Sequence, residues 1–420
     1  MTRLAVTPMN EQVVQEFVSI KRRHFLQSSA SALSLLSMGA AAAAESGRTL
    51  QEIPAETGGS ASILPVAIPP LARIEARADR IITMNVCTRP FRAQGPRLEL
   101  ERLGRKTVVH NYGHGGSGWS LSWGSARVAV DMALTTGQKE LAVIGCGAIG
   151  LTTAIVAQQA GLGVTIYAKE RPPYVRSSFA TGVWSPESRV CTLEHAAGFA
   201  ERWETMTRYS HRKYQTLLGL KENAIEYREI YNLSDDAFDG PGSSEGSLEP
   251  EYPEFTKTLV PDLDPKPLDL SSMEHPFAVP YVRRSPLMLI NISAYSRLLL
   301  DDFHQGGGKI VSAELKDNRD FASFDERTII NCTGYGAREL LGDDTITPVR
   351  GQTAKMIPQP DVTYGIRYSD KHISVYPRRD GILVQAGADS DYGNPEASVD
   401  PDESISAVNR LAEVMAGLKG

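Results

Sequence analysis

The residues that most clearly could do chemistry lie in Leu141-Ala-Val-Ile-Gly-Cys-Gly-Ala-Ile-Gly150. An apolar run ends in G-x-G-x-x-G at Gly145, Gly147 and Gly150, and Ala148 and Ile149 open the helix-compatible stretch that follows. Gly145 suits a tight turn, Gly147 lets main chain approach a pyrophosphate, and Gly150 lets helix and strand pack closely. Phosphates would then sit at a helix N-terminus, where unpaired N–H groups and the macrodipole favour negative charge. A second apolar run, Val164 to Ala168, leads into Lys169 and Glu170. Glu170 stands where such motifs place an acid for a ribose hydroxyl, and Lys169 beside it competes for that assignment. Strand, turn, helix, second strand and acid together point to dinucleotide binding. A second glycine-rich turn, Gly115, Gly116 and Gly118, is one where backbone must approach a ligand closely.

The elements that must hold these motifs define an α/β protein with a doubly wound, Rossmann-like nucleotide domain. The chain has 420 residues, 41% hydrophobic and 22% charged, enough for roughly two or three domains. A net charge of -6 gives no electrostatic reason to expect nucleic acid or an anionic membrane as partner. The main body has no apolar stretch long enough to span a bilayer. Cys87, Cys146, Cys191 and Cys332 form no CxxC pair, so no metal site is expected. Cys146 and Cys332 sit in apolar, strand-like runs as buried thiols, while a Cys87–Cys191 bridge stays open in an oxidising compartment.

Residues 1–44 read as an address. Lys21-Arg22-Arg23-His24-Phe25-Leu26-Gln27 resembles a twin-arginine motif and precedes a Ser/Ala/Leu stretch and the run Ala40 to Ala44, suited to cleavage. The other reading of this segment is an amphipathic N-terminal helix. The expectation is export by the twin-arginine machinery to the periplasm or beyond. Residues 45–70, rich in Gly, Ser, Ala and Pro, read as a flexible linker.

The blocks around the fingerprint carry a family resemblance. Thr88-Arg-Pro-Phe-Arg-Ala-Gln-Gly-Pro-Arg-Leu-Glu99 and Val108-Val-His-Asn-Tyr-Gly-His-Gly-Gly-Ser-Gly-Trp-Ser-Leu-Ser-Trp-Gly-Ser125 resemble two segments near the C-terminus of D-amino-acid oxidases. Ser177-Ser-Phe-Ala-Thr-Gly-Val-Trp-Ser-Pro186, Ile329-Ile-Asn-Cys-Thr-Gly334, Pro348-Val-Arg-Gly-Gln-Thr353 and Tyr376-Pro-Arg-Arg-Asp-Gly381 are similar to later blocks in that family's usual order. The order implies a circular permutation, with the family's last segment (71–137) moved in front and joined to the fingerprint through Thr135 to Lys139. Residues 138–200 then form the FAD-binding βαβ unit, 201–300 a substrate domain and lid, 301–355 the return to the FAD domain, and 356–420 a substrate-domain hairpin and terminal helix. The substrate domain is expected to be α+β on a mixed sheet.

The resemblance implies FAD and the oxidation of a D-amino acid to an imino acid by hydride transfer. Oxygen or another acceptor takes the electrons, and hydrolysis gives a 2-oxo acid and ammonia. It implies that Arg89 clamps the substrate carboxylate through two parallel N–H groups and that the Gly116 carbonyl receives the amine. Gly115, Gly118, Trp119 and Ser120 would lie against the flavin, Ser177, Ser178, Gly182, Val183 and Trp184 would line it, and Thr333 and Gly334 would serve its phosphates or ribose. His114 reads as structural, since hydride transfer from a neutral amine needs no dedicated base. The chain departs from the family at Ser374, where a tyrosine is expected. Tyr376, two residues on and on the same side of a strand, could substitute, with Tyr368 in the upstream role. Arg283 and Arg284 read as charged surface, and an acidic substrate would follow only if one of them reached the pocket. Ser234 to Glu251 reads as a lid or a disordered insertion. Two other functions share these motifs: a dehydrogenase serving a quinone or protein acceptor, and a flavin-holding binding protein without turnover.

Overall fold

In the computed structural model the described residues are 71–238, 249–387 and 391–419. The expected signal segment, the linker and most of the expected lid lie outside them. In chain order the strands and helices are β1 (Ile81–Val86), β2 (Arg89–Arg92), β3 (Arg97–Leu103), β4 (Lys106–Tyr112), α1 (Gly118–Leu134), β5 (Glu140–Ile144), α2 (Ala148–Gln159), β6 (Gly163–Ala168), α3 (Ala196–Gln215), β7 (Ile225–Ser234), α4 (Phe255–Leu259), β8 (Leu268–Leu270), β9 (Tyr281–Ile290), α5 (Ile292–Gln305), β10 (Lys309–Ser312), β11 (Thr328–Asn331), α6 (Ala337–Leu341), β12 (Ile346–Val349), β13 (Gln352–Met356), β14 (Tyr364–Tyr368), β15 (Ile373–Arg378), β16 (Gly381–Ala386) and α7 (Pro401–Ala416).

A six-stranded sheet runs β10-β6-β5-β11-β4-β3, parallel except for the antiparallel pair β3–β4. Its central strands are apolar at consecutive positions because both faces are covered, as expected of parallel strands. Val109, Leu141, Val143, Ile166 and Ile330 pack under α1, α2 and α5. The alternate residues Val108, Ala142, Ile144 and Ile329 meet Phe321 and Leu340 on the other face. Helix α3 contributes Phe199, Trp203, Met206 and Tyr214 to the first of these clusters.

An eight-stranded sheet runs β1-β13-β16-β15-β14-β7-β9-β8 and is mixed, since β14 pairs with β7 in parallel and the other pairs are antiparallel. Helix α7 covers one face, laying Ala407, Val408, Leu411 and Met415 on Ile366, Val375 and Val384. Its start is well specified: the Asp400 carboxylate accepts from the N–H groups of Asp402 and Glu403, with Pro401 in the first turn. A ribbon of β2 and β12 completes the sheets.

The segment preceding the fingerprint is shared among all three. β1 forms an edge of the large sheet against β13, β2 pairs with β12, and β4 lies beside β11 in the nucleotide sheet. Residues Thr135 to Lys139 lead directly from α1 into β5. At the other end of the described chain, Arg73 donates to the carbonyls of Met415 (3.2 Å) and Leu418 (3.1 Å), and the Tyr364 hydroxyl donates to the Ala72 carbonyl at 2.8 Å. The start and the end of the body therefore meet. The described residues all fall in one compact unit.

All four cysteines are free, so the Cys87–Cys191 bridge left open by the sequence is not formed. Burial pushes the thiols of Cys146, Cys191 and Cys332 up to about 12, which leaves them inert at neutral pH. No helix among the described residues is long and apolar enough to cross a membrane, and none of their His, Cys, Asp and Glu side chains cluster as metal ligands.

Candidate functional site

A cavity of about 880 Å³ is lined by residues of both large sheets. At one end stands the fingerprint turn. Gly145 has φ +102°, and a Cβ there would stand 2.6 Å from the Cys332 carbonyl oxygen, so both backbone angle and space demand glycine. Gly145, Gly147, Ala148 and Ile149 line the cavity; Gly150 packs behind them, against the Gly145 carbonyl. The first N–H of α2, on Ala148, donates to the Ser177 hydroxyl at 3.1 Å. Lys169 and Glu170 both line this end. Lys169 is engaged by Glu314 at 2.6 Å, which resolves their competition by leaving Glu170 unpaired among the described residues. Thr333 and Gly334 line it too, with the Asn331 side-chain oxygen accepting from the Thr333 N–H and hydroxyl.

Gly115, Gly116, Gly118 and Trp119 form the middle of the wall. The turn is pinned by Gly115 N–H to the Pro90 carbonyl (2.8 Å) and Gly116 N–H to the Ser188 carbonyl (2.9 Å). Trp119 Nε1 donates to the Ser177 carbonyl at 2.8 Å, tying this turn to the loop that holds α2. Ser177 and Val183 line the cavity; Ser120, Ser178, Gly182 and Trp184 do not. Ser120 instead accepts from the Ser185 N–H at 2.8 Å, the Gly182 carbonyl accepts from the Ile290 N–H, and Trp184 packs edge-on to Tyr214. The Ser178 hydroxyl is buried and has no partner among the described residues.

His114 also lines the cavity, and burial lowers its pKa to about 3. Its Nε2 lies 2.7 Å from the Ser125 hydroxyl, which donates on to the Asn111 side chain. The ring is neutral at any working pH and serves as a strut for the turn.

At the far end Arg89 enters from β2, opposite Val349 of β12. Its Nη1 donates to the Arg350 carbonyl at 2.6 Å, and it has no carboxylate partner among the described residues. Burial, with Arg189 nearby, pulls its pKa down, so this end favours an anion that would restore the charge balance. Tyr376 also lines the cavity, its hydroxyl accepting from Arg367 Nε at 3.0 Å. Tyr368 is not brought to the cavity. It lies on the face covered by α7, and its hydroxyl donates to Asp235 at 2.7 Å. Arg283 and Arg284 also stay outside, paired with Asp269 and Glu229.

Several lining residues escape a reading of the sequence: Arg176, Arg189, Arg367 and Gln385. No motif marks them, because strands from distant parts of the chain bring them to the wall. The one available signal was alternation: Arg367 is the polar residue between the buried Ile366 and Tyr368 of β14.

The family model described as FAD dependent oxidoreductase matches residues 140–420. The chain belongs to this family. The match begins at β5, after the segment that precedes the fingerprint. A D-amino-acid oxidase of Dictyostelium discoideum is 28% identical over 276 residues, covering 65% of this chain and 72% of the relative. A D-amino-acid oxidase of Streptomyces coelicolor is 26% identical over 286 residues, covering 67% and 79%. Among solved structures, glycine oxidase from Geobacillus kaustophilus superposes with a TM-score of 0.47 at 15% identity, covering 67% of this chain and 79% of that one.

The protein is thus an FAD-dependent oxidoreductase, and its residues fit the cofactor. The α2 N-terminus with Gly147 offers a phosphate cradle, Glu170 stands free for a ribose, and the wall from Gly115 to Trp119 leaves room for a ring system. The cavity is continuous from that cradle to Arg89.

Proposed function

We propose that the protein oxidises the α-amine of a D-amino acid, yielding a 2-oxo acid and ammonia after imine hydrolysis, with oxygen or another acceptor taking the electrons. The observation that carries this reading is Arg89, a largely buried guanidinium without a carboxylate partner among the described residues, in the same cavity as the fingerprint. The bound FAD supplies a hydride acceptor for the α-carbon. The protein's task is then orientation. Arg89 holds the carboxylate, the Gly116 turn takes the amine, and the side chain is left to the eight-stranded sheet. Fixing three substituents this way selects one hand of the α-carbon. An anaerobic titration of the flavin-loaded protein tests the reading: D-amino acids should bleach the oxidised-flavin absorbance and L-isomers should leave it. Bleaching by L-isomers alone would overturn it.

We further infer a circular permutation, in which residues 71–137 correspond to the C-terminal part of the relatives. Supporting it are the family match that begins only at residue 140, the place of β4 beside β11, and the contact of Arg73 with the end of α7. A relinked chain, with Lys419 joined to Leu71 by a short linker and opened within Thr135 to Lys139, should still fold and load flavin. A soluble product without flavin would count against it. Export by the twin-arginine route is proposed on Arg22 and Arg23; their double change to lysine should hold the protein in the cytoplasm.

A further inference from the structure

The cavity face of the eight-stranded sheet carries a polar row set by strand register. Thr353 pairs with Gln385, Gln385 with Ser374, and Ser374 with Arg367. Directly opposed residues of neighbouring strands project to the same face, and Thr353, Gln385 and Arg367 all line the cavity. Among the described residues this row has more hydrogen-bonding capacity than its neighbours use. Thr353 is 4% exposed, yet its hydroxyl has no partner. Arg367 spends Nε on Tyr376 and packs its guanidinium over the Tyr376 ring, 5.7 Å from the centroid, while Nη1 and Nη2 bond nothing among the described residues.

Buried polar groups are normally satisfied, and a half-buried cation normally finds a carboxylate. Other guanidiniums around the site do. Arg189 pairs with Glu249, and Arg378 with Asp380. Arg176 has no carboxylate, but it is exposed and donates to the Thr88 hydroxyl. Arg89 and Arg367 are the two half-buried guanidiniums in the cavity wall with no carboxylate among the described residues. One carboxylate answers one of them.

We propose that Arg367, with Thr353 and Gln385, forms a second anion subsite that takes the side-chain carboxylate of an acidic D-amino acid, while Arg89 takes the α-carboxylate. The inference rests on the amino-acid reading above and names its substrate class. The Tyr376 hydroxyl fixes Nε, so the outer edge of the guanidinium, Nη1 and Nη2, meets a carboxylate as a preset fork. The Thr353 hydroxyl supplies a further donor. Arg367 takes the place that the sequence left open to Arg283 or Arg284, both of which are paired outside the cavity.

The test compares size-matched pairs, D-aspartate with D-asparagine and D-glutamate with D-glutamine, by anaerobic flavin reduction of wild type, Arg367→Met and Thr353→Val. An acid should half-saturate at least about tenfold lower than its amide, the scale of a hydrogen bond to a charged group. Arg367→Met should remove that difference by weakening the acids alone. Thr353→Val, which deletes a hydroxyl that bonds nothing among the described residues, should fold normally and weaken the acids by a smaller factor. A preference for the amides, or an equal loss for all substrates in Arg367→Met, would overturn the subsite and reduce Arg367 to a support for Tyr376. A second readout does not depend on turnover: the flavin spectrum of the oxidised holoenzyme titrated with malonate and with acetate. Tighter malonate binding that Arg367→Met abolishes supports the subsite even if no D-amino acid bleaches the flavin, an outcome that would sink only the oxidase reading. Equal binding of the two by wild type would overturn the subsite.

Discussion

Arg89 lies across Gly351, so close that a methyl group built on Gly351 would stand 2.3 Å from its Nη2. The neighbouring Arg350 carbonyl accepts from Nη1 of the same guanidinium. The fold has thus used one main-chain carbonyl and one missing side chain to aim a cation. Because the clashing atom is the end of a flexible side chain, Gly351→Ala should fold and keep its flavin while the guanidinium shifts. Steady-state kinetics should show kcat/KM lower by about 10- to 100-fold, as for other small misplacements of a positioning group. Unchanged kinetics would remove Arg89 from the site.

Arg89→Lys keeps the charge and loses the planar fork. A single ammonium cannot hold both the Arg350 carbonyl and a bidentate carboxylate. The expected cost is roughly 1.5–3 kcal/mol in transition-state binding, about 10- to 100-fold in kcat/KM, with flavin content unchanged.

His114 should make stability depend on acid. Its folded pKa of about 3 lies below the usual 6.5, so the fold holds the neutral ring and the unfolded chain takes up the proton first. This stabilisation is whole above pH 6.5 and falls as pH drops from there towards 3, by at most about 1.4 kcal/mol per pH unit. Thermal unfolding at pH 7.5, 6 and 5 should show a shallower decline for His114→Gln than for wild type. Equal slopes would mean that the ring is hydrated. The same neutrality predicts that the pH–rate profile of His114→Gln keeps its shape.

Gly150→Ala sets a Cβ 2.0 Å from the Gly145 carbonyl oxygen, main chain against main chain. The purified variant should have lost most of its flavin absorbance. Gly198→Ala is the control: a helical position with nothing within 4 Å of the added carbon. Retaining flavin there and losing it at Gly150 ties the effect to the turn.

How far such a site can be read from sequence follows from the range of the signals. The fingerprint from Leu141 to Gly150, the Gly115–Gly116 turn and Arg89 were legible because each needs a local composition: glycine where main chain closes in, or an arginine in a recognisable block. The mixed sheet was legible only through resemblance. Arg367 and Gln385 carried no motif, and Thr353 lay in a recognisable block without a role assigned to it. Each is an ordinary polar residue on its own strand, and only the pairing of β13, β16, β15 and β14 sets them side by side. Tyr368 shows the reverse error. Next to Arg367 in sequence, it must point to the other face, so a tyrosine at about the right spacing ended among the residues under α7. Lys169 beside Glu170 was ambiguous until β10 delivered Glu314 nearby.

Strands that are synthesised first here are the ones that pair late. Asn85 of β1 has to wait for Thr353, Arg89 for Val349, and Val109 for Ile330. While the ribosome works through the intervening residues, the nascent chain carries β1, β2 and the edge of β4 that will face β11 without partners. Contacts of such separation close slowly and leave sticky edges in the meantime. Synthesis in the cell should therefore demand more of holding chaperones than the finished body's stability would suggest, and yield should rise when chaperones are supplied.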